Sequence, residues 1–403
     1  MPNTKKVILC CLAALLTACS PTQHLFAQAP HWVGSWGQAS SALPGTTNGE
    51  TISPTTFRNL IHLSLGGTAI RVSLTNELGA DSLQVGSATV AVDGGGGSLA
   101  AGTTFPLTFG GQTSVTIAAG AFAVSDPIPM VVPAFANLAV DIYLPSQQVQ
   151  NWTYHRKAIS TNYEASGNQA GAIDLVSSQE ITSWYLLKGV DVLTTNGASV
   201  IAFGDSITDG YGSTQDANHR WPDYLAQLLA ADNLSLPLSV VNEGLSGNRV
   251  LNDGTGLSAL NRLNRDVLTQ SGAKYVILLD GINDILQGTT TGDSGPYVTA
   301  QQIEQGYTQI AQQVHAAGLQ IFGGTLTPTS TLSSTGELER AAVNHWIRYS
   351  GVFDYVIDFD MAVRDDPNYP DSLIPAYDSG DNLHPNDAGY QAMADAIHLK
   401  HFE

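Results

Sequence analysis

The chain has 403 residues, of which 43% are hydrophobic and 13% charged, with 40 glycines and 18 prolines. This composition excludes a disordered chain, and the length allows two domains with a core each. Sixteen Lys and Arg stand against 35 Asp and Glu, a formal charge of −19. Such a surface repels phosphate backbones, so nucleic acid is not an expected partner.

All three cysteines, Cys10, Cys11 and Cys19, fall in the first nineteen residues. Nothing downstream can form an intrachain disulfide, a thiolate nucleophile or a Cys-ligated zinc site. Lys5 and Lys6 precede an apolar run from Val7 to Leu16, too short to span a bilayer. Residues 1–29 therefore read as an export segment. Two processing sites compete. Leu16-Thr17-Ala18-Cys19 has the form of a lipobox, in which Cys19 would be lipidated and anchor the protein to a membrane. Ala27-Gln28-Ala29 has the form of an ordinary cleavage site, followed unfavourably by Pro30. The expected location is periplasmic, outer-membrane lipoprotein or extracellular.

Residues 30–190 alternate with period two. Ile70, Val72 and Leu74 are separated by Arg71 and Ser73. Leu138, Val140, Ile142 and Leu144 are separated by Ala139, Asp141 and Tyr143. Glycine-rich breaks at Gly66-Gly67, Gly94 to Gly97 and Gly110-Gly111 punctuate these runs. The pattern predicts antiparallel strands with one buried face, a jelly-roll-like β-sandwich. Residues 191–403 differ, with the change falling across Gly189 to Gly197. Strands are predicted at Val200–Phe203, Ser239–Val241, Tyr275–Leu279, Leu319–Leu326 and Tyr355–Phe359. Helices are predicted at Trp221–Ala231, Leu257–Leu268, Ala300–Ala317, Glu337–Tyr349 and Ala388–His398. Five strand–helix units predict a five-stranded parallel sheet in a three-layer α/β/α domain.

Ligands of such sheets bind at the carboxyl ends of the strands. Four clusters project there: Gly204-Asp205-Ser206, Asn242 to Asn248, Gly281-Ile282-Asn283-Asp284, and Asp381-Asn382-Leu383-His384. Together they hold a hydroxyl, an imidazole base, a carboxylate to orient the base, and amide donors, as acyl transfer through serine requires. In this order the clusters resemble the four sequence blocks of the GDSL, or SGNH, hydrolase superfamily over about residues 198–403. The first half is similar to the β-domain found ahead of some bacterial members. The resemblance implies an esterase without a cofactor. Its nucleophile would be Ser206, its base His384 and its orienting carboxylate Asp381. Its oxyanion donors would be the N–H groups of Ser206 and Gly247 and the side-chain amide of Asn283.

Taken singly, each residue has a plainer reading. Ser206 could cap a helix, Asn283-Asp284 could form a turn, His384 could be a loop histidine, and Gly247 a turn glycine. Asp205, Asp284, Asp381 and His384 could instead hold a metal, although no paired-histidine motif supports this and none is expected. The remaining histidines carry no assigned role, and residues 32–187 carry no complete catalytic set. The expected substrate is a small-molecule or polysaccharide ester with a short acyl group, acetyl on carbohydrate being favoured. A lipase or arylesterase of the same superfamily, and a surface carbohydrate-binding protein with an inactive hydrolase half, are the alternatives.

Overall fold

In a computed structural model, residues 29–232, 234–289, 296–365 and 369–403 are described. The expected export segment and Cys19 lie outside the described residues. The alternating first half forms two antiparallel sheets. The smaller contains strands His31–Gly37, Leu187–Thr194, Ile70–Asn76 and Ala121–Val124, in that order. The larger is built around Thr55–His62, Asn137–Leu144 and Ser87–Gly95. Val72, Leu74, Val190 and Val192 of one sheet share a core with Phe57, Val90, Val140 and Ile142 of the other. The two sheets therefore form a sandwich closed by the apolar alternation.

The outer face of the larger sheet is covered as well. Residues 171–173 lie over it, and Arg58 bonds Asp141 at 2.7 and 2.9 Å with both side chains buried. Arg58 also donates to the carbonyls of Ala172 and Ile173, and Gly171 N–H donates to Asp141. Period-two alternation predicted a solvated outer face. The charged residues on that face are instead paired beneath a loop, an arrangement that alternation cannot reveal.

The strand Leu187–Thr194 belongs to the sandwich, because Leu187, Val190 and Val192 point into its core. Only residues 195–197 then connect the domains. The second domain has a five-stranded parallel sheet in the order Leu238–Gly244, Ala198–Gly204, Ala273–Leu279, Gln320–Gly324 and Tyr355–Ile357. Every residue of Ala198–Gly204 is buried, as a central strand covered on both faces requires. Helix Trp221–Ala231 packs with the last helix, Asp387–Asp395, whereas Ala300–Ala316 packs with Ser334–Tyr349. The order reverses between the first and third strands, and right-handed crossovers put these pairs of helices on opposite faces. Among the described residues, no helix is long and apolar enough to cross a membrane.

The domains meet along the first sandwich strand and the edge strand Leu238–Gly244. Gly34 N–H donates to Ser271 O at 2.8 Å, and its carbonyl accepts from Ser239 Oγ and Ser199 Oγ. Ser64 Oγ donates to Val240 O. A Cβ on Gly37 would stand 2.6 Å from a Val241 methyl, so the backbones approach as closely as glycine allows.

Candidate active site

The first parallel strand ends at Gly204, and a one-turn helix, Ser206–Asp209, begins at once. Asp205 caps this helix by accepting from Ile207 N–H at 3.0 Å, so Ser206 is its first residue rather than its cap. The tight junction depends on two strand-end glycines. A Cβ on Gly204 would lie 2.1 Å from Leu279 O, and one on Gly244 2.2 Å from Asp209 N. The turn leaves the Ser206 hydroxyl facing the cleft and its N–H at a helix start, where no helical acceptor exists.

Asp381 lies far along the chain but close in space. Its Oδ1 accepts N–H bonds from Leu383 at 3.0 Å and His384 at 2.8 Å, in a turn that puts Asn382 at φ 61°. The same turn brings Asp381 Oδ2 to 2.6 Å from His384 Nδ1. His384 Nε2 then lies 2.8 Å from Ser206 Oγ. Burial pushes the Asp381 carboxyl up, but the bonds from His384 outweigh it and hold the group below the usual carboxylate range. Asp381 is thus an anion that fixes the imidazole with Nδ1 protonated and Nε2 free to accept.

Gly247 lies at φ 80° on the neighbouring loop and faces the same cleft. Asn283 opens helix Ile282–Thr289 and also lines the cleft. One of its amide hydrogens goes to Asn248 O at 2.9 Å, which orients the amide and leaves the other hydrogen available. The structure therefore brings Ser206, His384, Gly247 and Asn283 to one cleft of about 330 Å³, with Asp381 joined to it through His384. A larger space of about 390 Å³ lies between the domains behind His155 and Asp209. It is lined by none of Ser206, Asp381 and His384, so the chemistry of the walls marks the smaller cleft.

The carboxylates considered as metal ligands are otherwise engaged. Asp205 caps a helix, and Asp284 accepts from Val250 N–H at 2.7 Å and Leu251 N–H at 3.2 Å. Burial pushes Asp284 up to about 6 and Asp205 up to about 7. Among the described residues, no three His, Cys, Asp or Glu side chains gather as a ligand set.

Two supporting groups were not apparent in the sequence. Arg262 is fully buried, and its guanidinium donates to Gly204 O, Glu243 O and Asn248 Oδ1, each at 2.8 Å. It thereby ties two strand ends to the loop that carries Gly247. His155 comes from the sandwich domain. Its Nδ1 lies 2.7 Å from Ala39 O, and its Nε2 3.0 Å from Asp209 Oδ1. Both partners are acceptors, so both nitrogens carry protons. Burial would lower the His155 pKa, but the Asp209 carboxylate overrides it and raises it. Asp209 Oδ2 in turn accepts from Ser246 N–H at 3.0 Å and Ser246 Oγ at 2.5 Å. A β-domain imidazolium thus holds the carboxylate that anchors the residue before Gly247. The only sequence signal was a histidine two residues beyond Thr153 in a short apolar run.

Residues 202–392 match the family model of the GDSL-like lipase/acylhydrolase family. The chain's second domain belongs to this family, within the GDSL/SGNH superfamily, whose members are hydrolases acting on acyl groups. Solved structures similar to it include the native aryl esterase of M. smegmatis, at 19% identity and a TM-score of 0.39. That match covers 50% of this chain and 96% of the other. A member of the lipolytic protein G-D-S-L family from Veillonella parvula DSM 2008 matches at 20% identity and a TM-score of 0.37, over 50% and 96%. An alpha/beta hydrolase enzyme from the metagenome of Lake Arreo matches at 21% identity and a TM-score of 0.38, over 50% and 93%. No curated protein matches the chain.

Proposed function

We propose that the protein is a serine esterase that cleaves carboxylic esters through an acyl-enzyme. The observation that carries this reading is the unbroken line from Asp381 through His384 to Ser206 Oγ, at 2.6 and 2.8 Å. A serine hydroxyl is a weak nucleophile until a base takes its proton. As Ser206 Oγ attacks the ester carbonyl, His384 Nε2 accepts that proton and Asp381 stabilises the imidazolium. The negative charge that develops on the carbonyl oxygen is met by the N–H groups of Ser206 and Gly247 and the free amide hydrogen of Asn283. The intermediate collapses, the C–O bond to the alcohol breaks, and His384 returns its proton to the departing oxygen. Water then attacks the acyl-serine by the same route, releasing the acid and restoring Ser206.

Ser206→Ala should abolish ester hydrolysis with the fold retained, and a serine-directed phosphonate should label the wild type at Ser206 alone. Activity in the Ser206→Ala protein would end this reading. The reading extends to short acyl groups, acetyl on carbohydrate above all, because the cleft is small and an exported β-sandwich suits a glycan. A p-nitrophenyl ester series of rising chain length tests this, with the rate expected to fall beyond the shortest acyl groups. It extends also to export through the segment that begins at Lys5. Intact-mass measurement of the mature N-terminus distinguishes a lipidated Cys19 from cleavage after Ala29.

A further inference from the structure

Arg and Lys are scarce in this chain, and most of those described are tied to carboxylates. Arg58 pairs with Asp141, Arg71 with Asp191, Lys188 with Glu77, and Arg340 and Arg348 with Asp360. Arg156 and Lys157 differ. Among the described residues neither side chain makes an ion pair, and both line the catalytic cleft. No Asp or Glu lines that cleft. A −19 chain thus carries two adjacent cations on the wall of its reactive cleft, where the described carboxylate nearest in the catalytic line, Asp381, is already tied to His384.

The position of Lys157 gives the pair a side. His384 must hand its proton to the departing alcohol oxygen, so the alcohol lies on the His384 side of the scissile bond. Tyr211 packs against His384 there, with ring centroids 4.5 Å apart. Lys157 Nζ stands 5.0 Å from the centre of the Tyr211 ring. His384, Tyr211 and Lys157 are therefore in one continuous series of contacts on the wall beside the base. The backbone that bears the two cations is held in place. His155 is pinned by Ala39 and Asp209, its Nε2 also meets Lys157 O at 3.2 Å, and Arg220 donates to Ala158 O. The backbone beneath the charges is consequently fixed, which removes the cost of ordering that segment when an anion binds.

We propose that the ester hydrolysed at this site carries an anionic group, a carboxylate or sulfate, on its alcohol portion, and that Arg156 and Lys157 bind it. This rests on the esterase reading above. A planar guanidinium suits either anion through paired N–H bonds, and the ammonium adds a second charge. The anion could belong to an acidic polysaccharide or to a small soluble acid.

The test compares 4-acetoxybenzoate with its neutral analogue, 4-acetoxybenzamide, each rate being normalised to its hydroxide-catalysed hydrolysis. At low ionic strength kcat/KM should favour the anion by about tenfold, as expected for two partly exposed charge contacts. The preference should shrink in 0.5 M salt, where charges at the cleft mouth are screened. In Arg156→Gln/Lys157→Gln it should fall to near unity, while phosphonate labelling of Ser206 reports that the centre is intact. Acetate release from acetylated polygalacturonate in preference to acetylated xylan, lost in the same variant, would identify an acidic polysaccharide. A preference confined to the benzoate would identify a small acid. Equal normalised rates on all charged and neutral pairs in the wild type would overturn the proposal and leave the esterase intact. So would a preference unchanged in the double variant. Failure to hydrolyse any of these esters would remove both readings.

Discussion

At the scale of single residues, the short bond between Asp381 and His384 decides which imidazole nitrogen is free. An amide at position 381 can offer its N–H to Nδ1 and so stabilise the wrong tautomer. Asp381→Asn should therefore keep the cleft and reduce kcat to roughly 10⁻⁴ of wild type, the scale seen when the equivalent change is made in a serine protease. Steady-state kinetics on a short ester check this, and near-normal activity would show that another group orients His384. His155 acts at one remove, as a positioning residue. His155→Ala leaves Asp209 buried with Ser246 as its remaining side-chain partner, and the loop before Gly247 loses its anchor. We expect kcat to fall about tenfold with little change in KM, less than the 10²–10³ typical of losing an oxyanion donor outright. His155→Gln, which can still donate to Asp209, should recover part of the loss. A merely structural role would lower stability without that split between kcat and KM.

At the scale of elements, the strand ends are held by buried charge. Arg262 sits beneath the site, 4.1 Å from the centre of the Phe203 ring and hydrogen-bonded to Asp266 at 3.2 Å. Arg262→Met would release three acceptors and remove the cation nearest the buried Asp280 carboxylate, at 3.9 Å, while Asp266 keeps Arg265. Losing one member of a buried pair costs about 3–5 kcal/mol, and urea unfolding should show a loss of that order. The same region sets a pH dependence. Burial raises Asp205 to about 7 and Asp284 to about 6, so the folded chain holds protons that an unfolded chain gives up near pH 4. Their contribution is complete below pH 4 and is lost as the pH rises through 6 and 7. Asp381, which is lowered, works the other way, and its contribution is lost as the pH falls below the usual carboxylate range. Thermal unfolding should therefore peak in mild acid and decline from about pH 5 to pH 8. Asp284→Asn should flatten that decline, and a Tm that rises over the interval would contradict the assignment.

At the scale of the whole molecule, the two domains work as one body. The first sandwich strand lies on the edge of the parallel sheet, and Asp216 on the hydrolase side binds Thr161 N–H and Thr161 Oγ1 on the other. The sandwich also supplies His155 beneath the site and Arg156 and Lys157 at its mouth. A chain beginning at Asn196 would keep Ser206, His384 and Asp381 but expose the face of Leu238–Gly244 that Gly34 and Gly37 now cover. We expect it to aggregate, and any soluble fraction to hydrolyse small esters more slowly than the full chain. Size-exclusion chromatography with a parallel rate assay measures both, and a monomeric truncation with full kcat would show that the sandwich lends the centre nothing.

The change of period, from two in the first half to strand–helix units in the second, was legible in sequence because it records local burial, one residue at a time. The residues of the cleft were legible because ligand sites of a parallel sheet fall at the strand ends, where Ser206, Gly247 and Asn283 stand beside the Asp381–His384 pair. Helix Ile282–Thr289 was not, since it is short and begins only three residues after the strand Ala273–Leu279, where Asn283-Asp284 reads equally as a turn. Nor were Arg58 with Asp141, Arg262 with its three carbonyl and amide acceptors, or His155 with Asp209. Each of these pairs joins residues separated by between 14 and 83 positions. A charged side chain can be buried only where tertiary structure supplies its partner, and no local pattern announces that partner. The sequence by itself determined the two architectures and the inventory of the cleft. Tertiary structure alone decided that the β-domain reaches into that cleft, because the contact depends on how two independently patterned units pack.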